Sequence, residues 1–289
     1  YLPKIFISIN FLLSMVLIGQ TLQAYKGLST EQLLLFVKVL GFESCEINPA
    51  GTSLENVEKV ISKVGNMKLT FHLPIQGIEG YDFSQEDKTE QINDVISLIN
   101  NYGDKLNLIL AVVHPPEGNG TIEVLARNLK KLKIPIVLEN VVWYSNDEFK
   151  EMYEKLKMEL GEQLKGWLFD VAHSYLRNGK EHYLDILDLL PFSELEEIHL
   201  SDCLEGEDSH YAFGAGILPI DEILSEIKER GYDKIIVNEI DAHPTIWAVL
   251  DSYRKVARKF KKKLYRKVTF RLAITKPIIR AKLKKNKII

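Results

Sequence analysis

The sequence predicts an α/β chain closed into a (β/α)8 barrel with a basic C-terminal extension. Three observations lead there. Eight short apolar runs recur along the 289 residues, helical stretches alternate with them, and metal-type side chains arrive at the ends of the runs, about one per unit. Runs apolar on both faces suit a parallel sheet covered by helices. Eight such units make one domain of roughly 250 residues.

The runs span residues 4–9, 43–47, 68–73, 106–113, 135–139, 166–171, 196–200 and 234–239, each rich in Val, Ile, Leu or Phe. Helix signals lie between them. Thr30 precedes EQLLLFVKVL and Gly41 closes it; Ser53 precedes LENVEKVISKV and Gly65 closes that one; Asp221 opens EILSEIKER before Gly231. Residues 243–260 read as the last barrel helix. The division is thus 1–260 for the barrel and 261–289 for a basic tail. In the tail, TFRLAITKPII is too mixed to separate helix from added strand or disorder, and Pro277 interrupts it.

Residues 5–19, IFISINFLLSMVLIG, follow Lys4 and precede Ala24, an outline shared with secretory signals but too short to span a bilayer. The reading adopted is a first strand, IFISI, followed by a leucine-rich segment packed on the barrel. Cysteine usage agrees with it. Cys45 and Cys203 form no C-x-x-C pair and are too few for a disulfide framework, so a reducing, cytoplasmic compartment and no membrane span are expected.

The net charge of −3 hides an asymmetry. From Arg254 onward there are 16 of the 37 basic residues and no Asp or Glu, which leaves 21 basic against 40 acidic residues before it. The body carries −19 and the tail +16. Such a block points to an anionic partner, nucleic acid or a membrane surface, with a solvated tail as the plain alternative.

Five of the seven histidines, His72, His114, His173, His199 and His210, fall at or just after apolar runs, interleaved with Glu139, Asp170, Asp208 and Glu239. His72 and His114 each end a run and are followed within two residues by proline, a strand-end geometry. Glu139, Asp170 and Glu239 follow apolar residues, where an unpaired carboxylate is costly to bury. A metal removes that cost; a buried Lys or Arg partner is the alternative. Asp170 and His173 lie one turn apart, and His199 and Asp202 repeat the layout, with Asp202 expected to orient a neighbouring imidazole. Asp208 and His210 follow in a loop. Gly214 and Gly216 are candidates for backbone approach to a substrate phosphate, although a tight turn alone accounts for them. The all-nitrogen and oxygen donor set suits zinc first, with manganese or iron as alternatives. Nine ligands exceed the need of one ion, so up to three are expected.

In FHLP, VVHPP, VLEN, FDVAH, IHLSD, DSHYAFGAG and VNE, in order and at barrel spacing, residues 1–260 resemble the xylose isomerase-like TIM-barrel superfamily, which includes endonuclease IV and many sugar isomerases and epimerases. Each of the nine ligand positions of the endonuclease IV branch has a matching residue type. The resemblance implies three zinc ions: one on His72, His114 and Glu139, a second on Glu139, Asp170, His199 and Glu239, and a third on His173, Asp208 and His210. It also implies DNA repair chemistry, attack by metal-bound hydroxide on the phosphodiester 5′ to an abasic site.

The chain departs from that branch in its DNA-gripping loops. LPIQGIEGYDF follows His72 where the branch has a Ser-Tyr-Leu-Ile-Asn run, the stretch from His199 to Asp208 is shorter, and Asn48-Pro49 reads as a simple turn. The isomerase and epimerase branch uses one tetrad, Glu139, Asp170, His199 and Glu239, with Glu139 and Glu239 as catalytic proton-transfer groups on a small sugar or sugar phosphate. Metal-dependent hydrolysis of the endonuclease IV type is the expectation, isomerisation or epimerisation the alternative, and a non-catalytic binding barrel the third reading.

Overall fold

A computed structural model describes residues 16–22, 28–240 and 245–285. Eight parallel strands form the barrel: β1 (Leu17–Gln20), β2 (Ser44–Ile47), β3 (Lys68–His72), β4 (Leu108–Val113), β5 (Ile136–Glu139), β6 (Leu164–Asp170), β7 (Leu195–Leu200) and β10 (Ile235–Asn238). The short pair β8 (Asp202–Leu204) and β9 (Glu207–Tyr211) is an antiparallel hairpin after β7. Pairing runs in sequence order from β2 to β7, then through β10 to β1. A bridge between Thr21 and Glu46, with the Leu22 amide donating to the Glu46 carbonyl at 2.8 Å, joins β1 to β2.

The first strand is Leu17–Gln20, and this corrects the expectation of a strand at residues 4–9, which lie outside the described residues. Composition favours residues 4–9, KIFISI, over LIGQ and does not select the true strand. Register does: Leu17 to Gln20 pair with Ile235 to Asn238.

The helices are α1 (Thr30–Leu40), α2 (Val57–Val64), α3 (Gln76–Glu79), α4 (Thr89–Tyr102), α5 (Ile122–Leu129) and α6 (Asn146–Leu160). They continue as α7 (Val171–Asn178), α8 (Ile186–Leu189), α9 (Ile220–Glu229), α10 (Ile246–Phe260) and α11 (Lys262–Lys285). Local chemistry sets their ends. Gly41 stops α1 at φ +88°, a conformation only glycine adopts without strain. At α6, Ser145 and Glu148 exchange side-chain and backbone hydrogen bonds of 2.7 and 3.2 Å.

Alternation along the strands divides the core. One set of side chains packs outward against the helices, among them the fully buried Phe71, Trp167, Phe169 and Ile198. The alternate set fills the lumen: Leu110, Val112, Val137, Leu168, Ile235 and Val237 form a separate apolar cluster. Continuing the inward rows by two residues places His114, Glu139, Asp170 and Glu239 at the C-terminal mouth.

The basic tail is a helix, α11, that buries Leu264, Val268, Leu272 and Ile279 beside α1 and α10. Lys261, just before it, meets Glu43 at 2.6 Å, and the Arg271 guanidinium donates to the Val39 carbonyl at 3.4 Å. These contacts lie just ahead of β2, so α11 sits at the N-terminal end of the barrel.

Candidate metal centre

All nine candidate ligands meet at the C-terminal mouth. β3 delivers His72, the turns after β4, β5 and β10 begin with or follow His114, Glu139 and Glu239, β6 ends on Asp170, α7 carries His173, β7 carries His199 and β9 carries Asp208 and His210. Register makes Asp170 the direct neighbour of His199. Five overlapping groups have ligand atoms within 4.8 Å of one another: His72, His114 and Glu139; Glu139, Asp170, His199 and Glu239; His173, Asp208 and His210; His72, His199 and Glu239; and Glu46, Glu197 and His199. Glu139 belongs to two of them.

Asp208 and His210 stand on a strand rather than in the loop expected from the sequence. Being two residues apart on β9, they project to the same side. His210 holds φ +43°, which is uncommon for a side chain other than glycine, and this strained backbone turns its ring toward Asp208 at 3.1 Å and Glu239 at 3.6 Å.

The site carboxylates pair with imidazoles. Glu139 lies 3.1 Å from His72, 3.3 Å from His114, 3.4 Å from His173 and 3.6 Å from His199; Glu239 lies 2.9 Å from His199, and Asp208 lies 2.9 Å from His173. Among the described residues no Lys or Arg bridges Glu139, Asp170 or Glu239, which removes the cationic alternative raised by the sequence. Burial works against a charge on His72, yet neighbouring Glu139 holds its imidazole up at about 10. On His173 burial is likewise overcome, by Asp170 first, giving about 10. Burial pushes Asp170 up to about 7. Burial also opposes charge on Glu239, but His199 and His210 hold it down at about 2.

The donor set fits divalent cations on two observations. Buried polar atoms converge without hydrogen-bond partners: both ring nitrogens of His114, Glu139 Oε1, Asp170 Oδ2 and His210 Nδ1. Outer partners also orient two rings as metal ligands require. His72 Nδ1 donates to the Leu73 carbonyl at 2.9 Å and His173 Nδ1 to the Asn140 carbonyl at 2.8 Å, which turns each Nε2 lone pair into its cluster. His199 directs Nδ1 at Glu239 and Nε2 at Glu46, 3.4 Å away.

Residues missed in the sequence complete this support. Asn140 clamps Asp170 with hydrogen bonds of 3.0 and 2.8 Å to its backbone, besides accepting from His173. Glu46 and Glu197 lie fully buried in the lumen beneath His199, with Thr70 donating to Glu46 at 3.2 Å. The signal for Glu46 was present, a carboxylate inside the apolar run SCEI, the same argument that singled out Glu139.

Asp202 corrects a second expectation. Among the described residues it orients no imidazole: its carboxylate accepts from the amides of Cys203, Gly214, Gly216 and Leu218 at 2.8–3.0 Å. Gly214 and Gly216 therefore direct their N–H groups at Asp202 and build a turn, so those donors do not face a substrate phosphate. A Cβ at Gly216 would lie 2.1 Å from the Cys203 carbonyl oxygen. Asn48 also makes a turn, accepting from the Gly51 amide at 3.1 Å.

The mouth is partly roofed. Ile75, Ile78 and Glu79, from the segment around α3, line a cavity of about 20 Å³ with His72, Glu46 and Glu239, room for about one water. Trp143, after β5, is 40 % exposed and its ring lies 6.0 Å from that of His114.

The xylose isomerase-like TIM barrel family matches residues 34–263. The chain belongs to that family. Solved structures agree on the xylose isomerase-like fold. A D-tagatose 3-epimerase-like protein is 18 % identical, with a TM-score of 0.61 over 87 % of this chain and 99 % of its own. D-psicose 3-epimerase from Clostridium cellulolyticum H10 is 16 % identical, with a TM-score of 0.55 over 90 % and 98 %. An AP endonuclease, family 2, from Brucella melitensis is 10 % identical, with a TM-score of 0.56 over 78 % and 92 %. No curated protein matches the sequence.

Proposed function

We propose that this xylose isomerase-like barrel is a metal-dependent phosphodiester hydrolase, with abasic-site DNA as the substrate to try first. The observation that carries the reading is that all nine candidate ligands converge in three of the overlapping groups at the mouth, two of them sharing Glu139. An enzyme that only polarises a sugar's carbonyl and hydroxyl needs one cluster and has no use for His72, His114, His173, Asp208 and His210 as ligands. Bound divalent ions, zinc first, would supply Lewis acidity toward phosphate oxygens and lower the pKa of water.

The protein's own part is positioning. Glu139 joins the first and second clusters, and Asp208 lies between His173 and His210. Carbonyls at Leu73 and Asn140 fix the two ring orientations before substrate arrives. Buried walls formed by Val112, Val137, Leu168 and Val237 exclude water beneath the site, which strengthens every charge interaction above them.

A second reading, sugar isomerisation or epimerisation, is favoured by the tetrad of Glu139, Asp170, His199 and Glu239 and by the narrow space under Ile75 and Ile78. Several solved structures of this fold are of epimerases. Elemental analysis of purified protein separates the two. About three ions per chain, together with nicking of an abasic-site duplex, is the expected result. One ion per chain, with activity indifferent to alanine at His72, His114 and His210, would favour the isomerase and sink the hydrolase.

A further inference from the structure

Helix α11 carries two apolar rows. The first, Leu264, Val268, Leu272 and Ile279, is buried and holds the helix on the barrel. The second, Phe270, Ile274 and Ile278, stands at i, i+4 and i+8, and these side chains are 66, 58 and 70 % exposed. Residues so spaced form one continuous strip along a helix. Helical geometry sets Lys267 and Arg271 along one flank of that strip, three residues before Phe270 and Ile274, and puts Arg266 in line with it, four residues before Phe270. No Asp or Glu occurs in α11, while Lys and Arg take ten of its 24 positions.

Next to this strip lies a basic recess of about 1290 Å³ between α11 and the ends of α1, α2 and the first strands. Lys38, Lys68, Lys267 and Arg271 line it; its one acidic side chain, Glu43, is held by Lys261 at 2.6 Å. No helix among the described residues is long and apolar enough to cross a membrane.

We propose that α11 seats the protein on an anionic lipid bilayer, with Phe270, Ile274 and Ile278 entering the interface and the flanking cations and recess meeting lipid phosphates. Charge complementarity alone would fit nucleic acid equally. The exposed apolar strip decides for lipid, because a phosphate backbone offers nothing to three aromatic and aliphatic side chains, whereas a helix lying in a bilayer interface needs an apolar face bordered by Lys and Arg. Docking through this end leaves the metal centre at the opposite mouth open to water-borne substrate.

Vesicle flotation with the full, metal-loaded chain tests the proposal. Vesicles of phosphatidylcholine with one third phosphatidylglycerol are expected to bind the protein about tenfold or more better than phosphatidylcholine alone, with the preference lost at high salt. The triple substitution Phe270→Ser, Ile274→Ser, Ile278→Ser is expected to cut that binding by about tenfold or more while leaving the melting temperature and metal content unchanged. Lys267→Gln with Arg271→Gln should weaken anionic-vesicle binding without affecting neutral vesicles. Equal binding to both vesicle types, or a triple variant that binds like the parent, would overturn the proposal. So would tight duplex DNA binding indifferent to the triple substitution in a protein that ignores vesicles, or a parent dimer that the triple substitution dissociates.

Discussion

At the C-terminal mouth of the barrel, Glu139, Asp170 and Glu239 are buried and face imidazoles; at the opposite end, Lys267 and Arg271 are exposed and Lys261 is half-buried against a single glutamate. The two ends place charge in unlike surroundings. A carboxylate withdrawn from water must find a cation, a donor or a proton, since leaving it bare costs several kcal/mol. The site carboxylates are accordingly faced by histidines, the same side chains that are the candidate metal ligands. An exposed cation pays no such penalty and need not be paired, which leaves the N-terminal end free to meet an outside surface.

Glu139→Gln strikes the comparison hardest, because one side chain serves two clusters and touches four histidines. Metal content should drop toward one ion per chain and hydrolysis should fall by more than about 100-fold, the upper end of what even an outer partner of a metal ligand contributes. Asn140→Ala, which removes only the side-chain clamp on the Asp170 backbone, should cost less, about 10- to 100-fold. Equal effects from the two would mean that the clusters act as one unit.

The second prediction concerns protons. Without metal, His72 and His173 stay protonated up to about pH 10, and a ligand nitrogen must be unprotonated. Metal binding at pH 7 therefore releases protons, and affinity rises with pH, by about tenfold per pH unit for each proton released. Calorimetry in buffers of different ionisation enthalpy measures the number; zero would contradict the ligand assignment for these two rings.

The smallest effect belongs to the other end. Lys261→Ala removes a half-exposed pair with Glu43 and should change unfolding free energy by under about 1 kcal/mol, with metal content and turnover untouched. A large loss of activity from this change would break the independence of the two ends.

Much of this organisation was legible in the chain. Seven of the eight barrel strands fall within one or two residues of the apolar runs, because a strand covered on both faces leaves a local signature. His72, His114, Glu139, Asp170, His199 and Glu239 were visible for the converse reason, as polar residues where apolar runs end. What failed was whatever depends on a distant partner. The first strand lies at LIGQ and not at the more apolar KIFISI, because pairing with β10 selects it. Asp202 looked like an imidazole partner, but its four donors come from residues as far as Leu218. Glu46 on β2 meets His199 only through barrel closure, whereas Glu197 shares the inward face of β7 with it.

The sequence by itself determined the repeat, the residue types at the strand ends and the acidic and basic division of the chain, since periodicity and composition are local properties. Tertiary structure alone decided that Glu46 meets His199, that Asp202 organises a turn, and that α11 turns three apolar side chains outward. Those outcomes rest on strand register and on which helix face finds a neighbour, and neither is set before the chain closes on itself.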